Sequence, residues 1–71
     1  MISRRKLAQR AQDKLEAQLF FANKTLQEYQ LNLDGVIPTY IDPDKLVGMI
    51  EAQKREIMVL TYMFDLVESS Y

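Results

Sequence analysis

The sequence predicts an all-α fold: an antiparallel two-helix hairpin that dimerises into a four-helix bundle. Three observations predict it. Apolar residues recur at alternating steps of three and four along two long stretches, the signature of a helix-packing seam. The two glycines and two prolines all fall within residues 35–48, so the remainder of the chain runs uninterrupted. The apolar residues also exceed what one hairpin seam can hide.

The first helix is predicted over residues 4–34. Leu15, Leu19, Ala22, Leu26, Tyr29 and Leu33 step by 4, 3, 4, 3 and 4, a seam of almost three heptads. Upstream, Leu7, Ala11 and Leu15 step by four, so the stripe drifts there. Ser3 is an N-cap candidate. Asp34-Gly35 marks the end, because glycine takes the left-handed cap position that other residues resist.

The connection, residues 35–42, is short, which sets the helices antiparallel. It is also apolar. Val36, Ile37, Tyr40 and Ile41 are expected to fold over the end of the hairpin as a plug.

The second helix is predicted over residues 43–69, completing one domain over residues 1–71. Asp42 is an N-cap acceptor, and Pro43 suits the first helical position. Asp44 adds negative charge where the dipole favours it. Ile41 and Leu46 have the spacing of a hydrophobic staple. The seam then reads Leu46, Ile50, Gln53, Ile57, Leu60, Phe64, Val67 and Tyr71, with Gln53 its strongly polar member. A buried amide there would penalise wrong pairings of the helices. Gly48 is either a surface glycine or a site of close backbone approach.

Composition narrows the function classes. A chain of 71 residues buries only ~60% of its unfolded surface, and such a core rarely supplies more than about 3–5 kcal/mol. With no cysteine and no histidine, disulfides and the usual zinc, haem or imidazole sites are excluded as support. No cofactor is expected. The longest apolar-rich run, Ile57 to Val67, is far short of the ~20 residues that span a bilayer. The basic start has no apolar h-region behind it. These features point to a cytoplasmic protein rather than a membrane or secreted one.

Support must then come from another chain. The second helix carries an extra apolar row at Ala52, Val59, Met63 and Leu66, with Met49 and Met58 beside it. Phe20 and Phe21 flank the first seam. The expected dimer or partner interface is Phe20, Phe21, Ile57, Val59, Leu60, Met63, Phe64, Leu66 and Val67, read as one patch. An isologous homodimer covers such a patch with its own copy. A second protein is the further partner expected, with the methionines either filling the core or adapting to that partner.

The remaining functional candidate is basic. Arg4, Arg5, Lys6, Arg10 and Lys14 face only Asp13 over residues 1–14, a balance of +4, whereas residues 15–71 carry −5. Cations at a helix N-terminus oppose its dipole. One reading compensates them internally, with Asp65, Glu68 and the terminal carboxylate in surface ion pairs. The other makes them a contact for an anion or a nucleic-acid backbone, although no aromatic residue interleaves them and no base-reading signature accompanies them. The carboxylates have plainer roles as caps and helix-face pairs, such as Glu51 with Arg55. A non-enzymatic interaction protein is therefore expected, with a nucleic-acid accessory role as the alternative.

Overall fold

A computed structural model describes residues 3–69. Two helices, α1 (Arg4–Leu33) and α2 (Pro43–Ser69), pack against each other. The hairpin is a rod of 51 × 16 × 14 Å. Its radius of gyration is 15.9 Å, against about 11 Å for a compact domain of this length. Tyr71, expected to close the α2 stripe, lies outside the described residues.

Each helix end is built from local hydrogen bonds. The Ser3 hydroxyl accepts from the Lys6 N–H at 3.3 Å, one of the donors that a helix start leaves without a partner. At the other end Gly35 adopts φ +80°. The Gly35 N–H reaches the Asn32 carbonyl at 3.2 Å, and the Val36 N–H reaches Leu31 at 3.0 Å. That is the Schellman arrangement, with Gly35 in the expected cap position and the helix ending at Leu33, one residue before the expected 34. In α2 the Asp42 carboxylate accepts from the Asp44 N–H at 3.0 Å, and the Asp42 carbonyl takes the Leu46 N–H at 2.9 Å.

The connection does not form the expected plug. Ile41 is half-buried, but Val36, Ile37 and Tyr40 are exposed, Tyr40 completely. Polar bonds steer the chain here. The cap sets its exit direction, and the Asn32 amide donates to the Ile37 carbonyl at 3.0 Å. Apolar side chains in the link are left outside that path.

The core is thin. Leu15, Ala22, Leu46 and Ile50 are buried, and Leu46, at 1% exposure, is the most enclosed. Leu19, Leu26 and Tyr29 of α1 are half-buried, as are Ile57, Leu60, Phe64 and Val67 of α2. The first turns of α1 depart from the predicted stripe. Ala8 and Gln12 turn inward to half-burial, while Leu7 and Ala11 stay exposed. The seam therefore keeps steps of four and three from Ala8 onward and does not drift. A helix is rigid in phase, so Leu15 to Leu33 dictate which residues point inward upstream.

Candidate interaction surface

The seam divides the rest of the hairpin surface into two faces. On one, a groove is lined by Gln18, Phe21, Ala22 and Thr25 of α1 and Gln53, Glu56 and Leu60 of α2. On the other, Gln30, Leu33 and Asp34 meet Val47, Ile50, Glu51 and Lys54. Residues three, four and seven apart share a side of a helix, so these linings assign the other exposed positions.

The first face is apolar. Helical spacing from Gln18 and Phe21 adds Leu7, Ala11 and Lys14. Spacing from Glu56 adds Ala52, Val59, Met63 and Leu66. Leu7, Phe21, Val59, Met63 and Leu66 are all exposed large apolar side chains. Leu7, Met63 and Leu66 lie toward the distal end of the rod, and Phe21 and Val59 near its middle.

The second face is acidic. From α1 and its C-cap it takes Asp13, Glu16 and Asp34, with Lys6. From α2 it takes Asp44, Glu51, Asp65 and Glu68, with Lys54. Seven carboxylates stand there against Lys6 and Lys54, with Arg5, Lys24 and Arg55 on the same side by that spacing, and all of them are exposed. Phe20, Leu33, Val47, Met58 and Tyr62 are its exposed large apolar side chains.

The structure thus separates the residues that the sequence groups in one patch. Ile57, Leu60, Phe64 and Val67 are half-buried in the seam. Phe21, Val59, Met63 and Leu66 occupy the apolar face. Phe20 lies instead with Asn23, Lys24 and Gln27 on the outer surface of α1. Adjacent residues stand about 100° apart on a helix, so the two phenylalanines flank opposite sides of it. Their rings still touch edge to face, with centroids 5.5 Å apart. Leu7 and Ala11 join the apolar face and were missed as members of it. The signal lay in the seven-residue spacing back from Phe21 and Gln18.

A rod of these proportions leaves more surface in water than a compact domain does. The chain exposes 5790 Å², whereas a compact monomer of 8.3 kDa exposes about 4,600 Å². The excess is roughly 1,200 Å² on that scaling.

The basic residues Arg4, Arg5, Lys6, Arg10 and Lys14 are exposed along the first turns of α1. Among the described residues no ion pair joins them to Asp65 or Glu68, and the terminal carboxylate lies outside the described residues. Glu51 and Arg55 form no ion pair either. Among the described residues no charged side chain is buried, and no three carboxylates gather to hold a metal. Among the described residues no helix is long and apolar enough to cross a membrane.

Gln53 is a polar group that the seam uses. Its amide donates to the Ala22 carbonyl of α1 at 2.9 Å from a half-buried position. Gly48 has nothing near the place a Cβ would occupy, so it is a surface glycine in this hairpin. No known protein family, curated protein or solved structure matches the chain.

Proposed function

We propose that the chain is a non-enzymatic interaction module that acts as a homodimeric helical hairpin and binds or sequesters another protein. The observation that carries this reading is the exposed apolar face of Phe21, Val59, Met63 and Leu66. Large side chains left in water cost about 1.5–3 kcal/mol each relative to full burial. A core of four buried residues offers little to offset that. Sedimentation equilibrium at micromolar concentration tests the dimer: a mass of two chains is expected, and a helical monomer defeats it.

A second reading rests on the exposed cations. Arg4, Arg5, Lys6, Arg10 and Lys14 have no ion-pair partner among the described residues, an arrangement that suits a phosphate backbone. A gel-shift salt series decides it. Binding at low salt that weakens on Arg4→Ala with Arg5→Ala supports the nucleic-acid role; binding unmoved by those changes, or none, removes it.

A further inference from the structure

We infer that a row of three cations on α1, Lys6, Arg10 and Lys14, lies along the phosphate backbone of a DNA duplex without regard to its sequence. The inference rests on the nucleic-acid reading above and adds which side of α1 is used and which form of nucleic acid it takes.

The row follows from helical phase. Lys6, Arg10 and Lys14 are four residues apart, so they stand one above another at steps of about 6 Å and span about 12 Å. Over the same stretch Ala8, Gln12 and Leu15 turn toward α2. At about 100° per residue, the three cations lie more than about 120° around the helix from that side. All three are exposed. The row thus crosses the outer surface of α1, and Asp65 and Glu68 of α2 lie behind that helix.

The nearer acids are Asp13 and Glu16. Asp13 borders the row, and its carboxylate accepts from the Gln9 amide at 2.9 Å. With Arg4 and Arg5 counted as well, five cations less two acids leave +3 over residues 3–17. Nothing inside the hairpin answers that charge. Among the described residues no ion pair joins these cations to a carboxylate, and no acid stands in the first turn of α1. Cations there oppose the helix dipole. A line of phosphates alongside supplies the missing counter-charge.

The form of nucleic acid follows from what the row lacks. Single strands are held by aromatic side chains on which bases stack. The row has Ser3, Leu7 and Ala17 beside it, and Phe20 and Phe21 come after it, packed edge to face on each other. Base edges are read by bidentate amides and guanidiniums in a groove, but Gln9 is bonded to Asp13 and Gln12 is half-buried in the seam. Charge on charge is what remains. A duplex offers the denser charge, about one per 1.7 Å of its axis against one per 3.4 Å for each strand.

A fluorescence-anisotropy salt series with the full chain and a short DNA duplex tests this. Each phosphate contact contributes about −0.9 to the slope of log affinity against log salt, so the row contributes about −2.7. Lys6→Gln with Arg10→Gln and Lys14→Gln is expected to flatten the slope by about that much and to weaken binding about tenfold or more at low salt. Lys45→Gln with Lys54→Gln and Arg55→Gln removes the same charge from exposed positions on α2 and is expected to leave binding within a few-fold. Glutamine is a good helix former, and the row variant also relieves the dipole, so both variants keep their helices. Equal effects of the two triple variants overturn the row while the nucleic-acid reading stands. A single strand bound more tightly than the duplex, or two unrelated duplexes bound with clearly different affinities, overturns the duplex assignment. No binding of the unsubstituted chain at low salt overturns both.

Discussion

The Gln53 side chain in α2 donates its amide N–H to the Ala22 carbonyl in α1, 2.9 Å away. The bond ties side chain to backbone across the seam, so it reports the register of one helix on the other. The Ala22 carbonyl also serves the α-helical ladder and is not orphaned when Gln53 is lost. Gln53→Ala should therefore cost about 1 kcal/mol, the net worth of one hydrogen bond and some packing. Gln53→Leu should be neutral or stabilising, with looser pairing as its consequence. Urea midpoints of the two variants check this; a Gln53→Leu that loses as much as Gln53→Ala contradicts it.

Leu46 is the most enclosed side chain of the hairpin. Leu46→Ala should cost about 2–5 kcal/mol, most of what a core this small supplies. Leu7→Ala, at an exposed site, should cost the isolated hairpin well under about 1 kcal/mol. Far-UV circular dichroism should show Leu46→Ala largely unfolded at room temperature and Leu7→Ala helical.

The two glycines should respond in opposite directions to alanine. Gly35 sits at φ +80°, where a Cβ costs about 1–2 kcal/mol, and it anchors the α1 cap. Gly48 lies within α2 with nothing within 4 Å of where a Cβ would stand, so Gly48→Ala should gain about 1 kcal/mol. Thermal melts of both variants decide it, and a destabilised Gly48→Ala would mean that something unseen in the single chain packs there.

The α2 cap should be separable from its charge. Asp42 accepts from the Asp44 N–H at 3.0 Å, so Asp42→Ala should cost about 1 kcal/mol. Asp42→Asn keeps an acceptor at the same place and should keep most of that stability. Denaturation midpoints of the pair distinguish capping from charge: equal losses would assign the effect to the carboxylate's charge at the dipole.

The helices were legible because their signals are local. Asp42-Pro43 and Asp34-Gly35 act within one turn, and both boundaries lie at or within one residue of the places those residues mark. The first turns of α1 were not. Leu7 is more apolar than Ala8, yet it faces outward because phase is inherited from the packed residues downstream. The connection misled for a different reason. Val36 and Tyr40 read as buried on composition, but backbone bonds to Leu31 and Asn32 fix the path there.

The interaction surface was half legible. The surplus of apolar residues could be counted, and Val59, Met63 and Leu66 fall on one side of α2 by spacing alone. What could not be read was the pairing of sides between helices, which sends Phe20 and Phe21 apart. That depends on which flank of α1 borders which flank of α2, a relation between distant residues.

Burial is uneven along the rod. Leu46 and Ile50 lie toward the connection and Ala22 and Leu15 nearer its middle, and no described residue of 3–14 or 61–69 is buried. Such a hairpin is a zipper fastened at one end. Its shortest loop closes at the connection, so ordering starts there at the lowest entropy, and amide protons should exchange fastest at the far end. That loosest half carries Leu7, Met63 and Leu66. For this chain, becoming fully ordered and finding a partner would then be one event, completed at the same place.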